Sequence, residues 1–425
     1  IMNLKIFAFV AGLILFNLLH TEAQPKKAVL SGKEFTPHSI FIHYPSTEHA
    51  WANAQRGNEW MLNLNGSWLY NTSGSTARLT PDRKGFNPQE WQSFQVPSNI
   101  FGEQTELDTM IRPKGNKVIL RKFFPIPESW YGLQTELVFE GIGPKGVVLV
   151  NGMKAANISN NQYGLFIEIT PLLRFGKMNS IDIILENVNA ASADSLAGLF
   201  GNVALYAHPN VAISDYTIQA TPASPGNEGK IDITLFPKRY LEDIDDKFTI
   251  EMYLYDKKRN NLLAPVALKY NPSKKADSVL FKSMTVKGAQ AWTSCQPVYY
   301  TLLILLKDKQ KQVVEAIKQI VAFRDFRYEG DSIIINGKRD TCMTFKEMDS
   351  KLAITGEPFE KDKLYKLVFT SNLQPTDISN IIRIVRKYRN NLQLAAYELK
   401  GFKDDAAQTI KAAIEAEDKT HPVKY

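Results

Sequence analysis

Two cysteines, Cys295 and Cys342, are all that the 425 residues contain. They form neither a zinc-ligand cluster nor a redox pair, and are compatible with one disulfide or with two separate buried thiols. A basic block is also missing. Lys and Arg outnumber Asp and Glu by 51 to 44, a formal charge of +7, but the two signs are interspersed. That permits an anionic partner and gives no indication of nucleic acid. The third absence is a long apolar run. Ile6 to Leu19, interrupted by Asn17, is too short to span a bilayer comfortably.

That short run has another use. Lys5 precedes it and Thr21-Glu22-Ala23 follows it, the layout of a secretory signal peptide, so residues 1–23 are expected to be removed and Gln24 to begin the mature chain. No cysteine lies near the cut to carry a lipid anchor, and Ile1 ahead of Met2 reads as a start-site artefact. The expected location is secreted or periplasmic, with no transmembrane span once the signal is gone. The remainder is long enough for several domains. Its apolar fraction of 44%, with 11% aromatic, lies in short Val/Ile/Tyr/Phe runs broken by Gly, Pro and Asn, a pattern that favours strands.

Residues 24–57 are polar and irregular, with His38, His43 and His49 among them. Their spacing matches no metal-ligand pattern, so an arm packed on the next domain is expected, with no metal and no cofactor. Leu62, Leu64, Trp68 and Tyr70 then alternate around Asn65-Gly66 as strand residues with one buried face do. Further along come Val96-Pro97-Ser98-Asn99, the strand Leu120 to Trp130, and Leu137 to Gly141 followed by Val147 to Gly152. Ile167 to Leu173 and Gly198 to Val203 complete the series. In order, these resemble the "LNGxWxF", "VPSNW", "YRRxFxVPxxW", "LxFEGV…VxVNG", "FDITxxL" and "GIFRDV" motifs of glycoside hydrolase family 2, the β-galactosidase and β-glucuronidase family. The resemblance implies a jelly-roll, galactose-binding-like sandwich over 58–209.

Two features of this stretch mislead. Gly141 to Gly146 satisfies G-x-G-x-x-G, but it joins two strands and opens no helix, so it is expected to be a hairpin turn and not a dinucleotide site. Trp68, Trp91 and Trp130 have the faces of sugar platforms, yet each sits beside alternating apolar residues, which places them in the core.

After Ala207-His208-Pro209, apolar runs at 213–219, 230–235, 248–255, 278–284 and 298–306 alternate with turn-rich stretches, as in an antiparallel sandwich. Val313 to Ile320 is read as a further strand. Trp292 to Leu302 resembles the family's "LWSPxxPxLYxL" strand, and Ala322 to Lys338 its "GFR…NGK" junction, with a reversal at Asn336-Gly337. The resemblance makes 210–322 an immunoglobulin-like sandwich and 323–425 the junction with a truncated or vestigial piece of the catalytic (β/α)8 barrel. A barrel of that kind needs roughly 250 residues.

Within the tail, Leu364 to Thr370 and Leu392 to Leu399 read as strands. A helix beginning near Thr376-Asp377 should bury Ile378, Ile381, Ile382 and Val385, and Asp404 to Glu417 forms a second helix. The fold class is therefore mostly β, two sandwiches with a short α/β (βαβα) end. Retaining glycosidases need two carboxyl groups about 5–5.5 Å apart, and the family's Asn-Glu acid pair is not found in the tail. Glu398, the one tail carboxylate at a suggestive position, reads as a solvated surface group, so no catalytic residue is assigned. The family's sugar-contacting loop precedes its "GIFR" motif. Here the corresponding loop offers Asn187, Asn189, Ser192 and Asp194 for hydrogen bonds to hydroxyls, while the family's arginine is Gly201. The expected function is non-catalytic binding of a glycan or oligosaccharide in extracytoplasmic polysaccharide metabolism, alongside other polysaccharide-degradation proteins. The alternative is the front part of a β-galactosidase-like hydrolase whose barrel is lost or on another chain.

Overall fold

A computed structural model describes residues 31–56, 59–72, 91–100, 117–159, 163–186, 188, 196–223, 228–244, 246–339, 342–350, 360, 363–371 and 378–425. The signal-peptide expectation for 1–23 lies outside them. The architecture is mostly β.

Two sheets form the first sandwich. One is ordered Lys33–Phe35, Leu165–Glu168, Gln134–Phe139, Val203–His208, Met61–Asn63. The other is ordered Met153–Ser159, Lys145–Val150, Met178–Glu186, Lys117–Pro125, Gly66–Asn71, Gln92–Val96. Alternate side chains from each strand meet between them, with Trp68, Phe94, Phe124, Trp130 and Phe139 essentially inaccessible. Trp68 and Trp130 are thus core residues, each tied by its indole N–H to a carbonyl, of Leu64 at 2.7 Å and Glu59 at 2.8 Å. Trp91 is half-buried, with the Arg121 guanidinium 4.9 Å from its ring centre.

The second sandwich pairs a three-stranded sheet (Val211–Ala223, Glu228–Arg239, Leu280–Lys287) with a five-stranded one ordered Val266–Tyr270, Phe248–Tyr255, Tyr300–Lys307, Val313–Val321, His43–Tyr44. Phe248–Tyr255 alternates strictly between buried and half-buried, because successive side chains of a strand point to opposite faces. The arm supplies an edge strand to each sandwich, Lys33–Phe35 to the first and His43–Tyr44 to the second. Its helix Thr47–Arg56 lies near the outer face of the five-stranded sheet, where Ala50 packs with Leu303, Leu305 and Ala316.

The junction is a hairpin sheet, Phe326–Glu329, Ser332–Ile335 and Lys338–Arg339. Asn336 and Gly337 turn it at φ 51° and 75°, values that suit Gly and Asn. Arg324 is buried between the rings of Trp292 and Phe326 and donates to the Leu394 carbonyl at 3.2 Å, so the junction is fastened to the tail. Cys295 and Cys342 are joined in a disulfide with Cα atoms 5.3 Å apart.

The tail is a parallel sheet in sequential order, Phe345–Asp349, Leu364–Thr370, Leu394–Lys400, Val423–Lys424. The helices Ile378–Tyr388 and Asp404–Glu417 pack on one face of it. The first helix buries Ile381, Ile384, Val385 and Tyr388, while Ile378 and Ile382 are half-buried. This corrects the expected seam. Its spacing is right, but it is displaced three residues toward the C-terminus and ends on Tyr388.

Candidate functional site

Asn187, Asn189, Ser192 and Asp194 lie outside the described residues. What frames them is described. Glu186 ends a central strand and Val188 is fully buried. On the other side Gly198-Leu199 pairs with Ser98-Asn99, and the Ala197 N–H donates to Asn99 Oδ1 at 3.1 Å. The loop therefore leaves the first sandwich from two fixed stems. At Gly201, where the family carries arginine, a Cβ would stand 2.4 Å from the Gly141 nitrogen, so no side chain fits unless the backbone moves. From Gly141 the chain passes from Gln134–Phe139 into Lys145–Val150, strands of two different sheets, so the expected hairpin turn is instead a crossover between the sheets and opens no helix.

Glu398 is not the solvated group expected from the sequence. It is 6% exposed, because the junction hairpin lies over this part of the sheet and sets the Tyr328 hydroxyl 3.1 Å from it. Parallel register puts Glu347 beside Lys366 and Glu398 beside Val368 on adjoining strands. The Lys366 ammonium donates to Glu398 at 2.9 Å and to Glu347 at 3.3 Å, and Lys400 reaches the same two carboxylates at 3.6 and 2.7 Å. Two carboxylates thus share two ammonium groups on the face opposite the helices. The hydrogen bond from Lys400, with that from Lys366, holds Glu347 below the usual carboxylate range. For Glu347 this favours the ionised form, whereas general-acid catalysis needs a carboxyl that keeps its proton.

A second polar cluster, which sequence reasoning missed, lies where the arm meets both sandwiches. His38 pairs with Glu136 at 3.2 Å, and His43 hydrogen-bonds Glu315. The ring of His208 lies 5.3 Å from that of His43 and 4.5 Å from Tyr240. Burial lowers His43 to about 3 and His208 to about 4, and raises Glu315 to about 8. Burial opposes charge on His38 too, but Glu136, with Asp215, outweighs it and raises this imidazole to about 9. Among the described residues no group of three or more His, Cys, Asp or Glu is placed to hold a metal ion. The cluster is a staple between elements distant in sequence.

The family model for glycosyl hydrolases family 2 matches residues 211–324. A β-galactosidase of Priestia megaterium is 26% identical over 332 residues, covering 71% of this chain and 32% of the relative. A putative β-glucuronidase of Formosa agariphila is 25% identical, covering 65% and 33%. The chain spans about a third of the length of these curated relatives. Among solved structures, a glycosyl hydrolase family 2 member from Bacteroides cellulosilyticus superposes with a TM-score of 0.67 at 15% identity, over 85% of this chain and 57% of the other. A Bacteroides uniformis β-glucuronidase does so with 0.64 at 16% identity, over 86% and 52%. Sequence motifs, family model and fold agree that the chain is related to glycosyl hydrolases family 2 over the part of that architecture it spans.

Proposed function

We propose that this chain is a non-catalytic carbohydrate-binding or accessory protein related to the family 2 glycoside hydrolases, acting outside the cytoplasm in polysaccharide metabolism. The observation that carries the non-catalytic reading is the pair Glu347 and Glu398, whose charges are compensated by the same two lysines. Retaining hydrolysis needs an acid and a nucleophile that both face the sugar, and here both carboxylates are engaged by lysine ammonium groups. Relatives named β-galactosidase and β-glucuronidase support a glycan as ligand. The proposed glycan-binding unit is the jelly roll, with Asn187, Asn189, Ser192 and Asp194 donating to and accepting from sugar hydroxyls. A disulfide between Cys295 and Cys342 supports an oxidising compartment, as does the signal-like start of the sequence. Among the described residues no helix is long and apolar enough to cross a membrane.

One observation favours the second reading, a hydrolase front part completed by a barrel elsewhere. The tail strands are parallel and sequential, with helices on one face and charged side chains on the other, as a segment of a (β/α)8 barrel would be. Turnover of p-nitrophenyl β-galactoside, β-glucuronide and β-mannoside by the purified chain separates the two readings. The expected result is no hydrolysis above a buffer blank, together with calorimetric binding of a galactan, glucuronate-containing or mannan oligosaccharide that weakens in Asn189→Ala/Asp194→Ala. Hydrolysis that disappears in Glu398→Gln would overturn the non-catalytic reading, since a contaminating enzyme is indifferent to that substitution.

A further inference from the structure

The second sandwich and the tail enclose a cleft of about 470 Å³ between the outer face of the three-stranded sheet and the ends of the two tail helices. A recess of about 260 Å³ shares Phe236, Arg386, Arg389 and Glu417 with it and continues toward the arm. The larger volume falls in the range of small-ligand pockets, roughly 300–1,000 Å³.

The sheet wall follows from strand alternation. Thr217 pairs with Thr234, and Thr234 with Phe281, so one row of outward side chains crosses all three strands. Gln219 pairs with Asp232 in the next row. Phe281 is 62% exposed, and Phe236, two residues beyond Thr234, lines the same cleft. An aromatic face left open to solvent thus stands beside hydroxyl, amide and carboxylate groups.

The opposite wall is charged but balanced. Glu417 accepts from Arg386 at 2.6 and 2.9 Å and from Arg389 at 3.0 Å, and Arg389 also holds Asp215 at 2.6 Å. No uncompensated charge is left in these pairs to select an ion. Polar capacity does remain. Among the described residues, Arg389 Nε, Asn390 Oδ1 and Asp232 Oδ1 are buried without a hydrogen-bond partner, and all three residues line the cleft. Arg389 is 5% exposed. Buried polar atoms are nearly always satisfied in folded proteins, and clusters of exceptions call for an explanation. Lys230 holds the other oxygen of Asp232 at 2.7 Å, and the Gln219 amide donates to the Lys419 carbonyl at 3.3 Å, leaving its own oxygen as an acceptor.

We propose that this cleft binds a neutral saccharide, a pyranose ring lying with its C–H face on Phe281 and its hydroxyls directed to Asp232, Gln219 and Asn390. Aromatic rings supply flat apolar surface for such stacking, and the few polar groups fix orientation. The inference rests on the glycan reading above but uses none of the residues of the loop 187–197.

The test uses the full chain with β-1,4-galactotetraose, xylotetraose and mannotetraose as neutral probes and a glucuronate-containing tetrasaccharide as the charged comparator. Binding is measured by calorimetry and located by oxidative footprinting, which reads Phe281 directly. A neutral probe is expected to bind in the millimolar range or tighter and to protect Phe281. Phe281→Ala should weaken it about tenfold, the loss of one stacking surface, with an unchanged melting temperature because the ring is exposed. Asp232→Ala should weaken it as well. If a probe binds, protects 187–197 and is indifferent to both substitutions, the cleft assignment is overturned while glycan binding stands. Preference for the charged comparator overturns the neutral-ligand assignment. If no probe binds, the glycan reading falls and this inference with it.

Discussion

His38 and His43 sit on one short arm, yet their surroundings drive them in opposite directions. His38 keeps its proton to about pH 9, above the ordinary 6.5, so the stability it contributes is complete below 6.5 and is lost as pH rises through 9. His208, lowered to about 4, must stay neutral in the fold, so stability is lost as pH falls from 6.5 toward 4. His43 and Glu315 together hold one proton between about pH 3 and 8. The unfolded pair also holds one between the ordinary values of 4.5 and 6.5, so the pair is neutral to pH there and adds to the loss outside that window. This cluster, faced also by Asp215 and Tyr240, therefore sets a stability maximum near pH 6.5. Each proton contributes a slope of roughly 1.4 kcal/mol per pH unit. Urea titrations across the pH range should show the maximum, and His38→Gln should reduce the alkaline slope, leaving the part that His43 and Glu315 contribute. An alkaline limb unchanged by that substitution would remove His38 from the account. None of this was legible in the sequence. Glu136 and Glu315 lie 98 and 272 positions from their histidines, and no local spacing encodes such a pairing. Glu398 was misread for the same reason, since the Tyr328 that covers it comes from 70 residues earlier.

Elements were far more legible, because periodicity is a local property. Leu364–Thr370 and Asp404–Glu417 have the limits their sequence implies, and Asn336-Gly337 turns where its backbone freedom allows. The strand Val313–Val321 contains the stretch read as strand although its apolar spacing also suits a helix. Where the sequence was ambiguous, the error was one of phase. In Ile378–Tyr388 both candidate seams satisfy the i, i+3, i+4, i+7 rule, and only packing against the parallel sheet chooses between them. Ile381 and Ile384, at 1% and 4% exposure, are chosen, and Ile382 is left half-buried. Ile381→Ala should thus cost about 2–5 kcal/mol through a lost side chain and the cavity left behind, and Ile382→Ala distinctly less. Urea midpoints of the two variants decide the matter. Equal losses would mean that the seam runs through Ile382 after all.

At the scale of the whole molecule, the tail meets the junction through Arg324 and Tyr328, and one of its helices with the C-terminal turn reaches the arm and both sandwiches. Arg383 donates to the Gly164 carbonyl at 2.8 Å and Lys387 pairs with Glu140 at 2.7 Å, both on the first sandwich. Arg386 donates to Pro37 of the arm at 2.9 Å. Arg389 reaches Asp215 of the second sandwich at 2.6 Å and is the one fully buried cation of these four, its side chain 4% exposed. A buried ion pair adds little when intact, but losing one partner strands the other charge in a low-dielectric setting, at about 3–5 kcal/mol. Asp215 also accepts from the Tyr216 and Ser39 backbone N–H groups at 2.8 and 3.3 Å, so it cannot turn away to water without breaking those bonds. Arg389→Met keeps much of the apolar stem and removes the charge. The wild-type chain is expected to unfold tail and sandwiches together, and the variant to release the tail first, with amides of 364–370 and 394–400 exchanging while those of 248–255 and 300–307 stay protected. Hydrogen exchange read peptide by peptide along a urea series shows which occurs. If both segments still exchange together in the variant, the tail is held by its other contacts, with the junction and the first sandwich, and Arg389 is not the coupling residue.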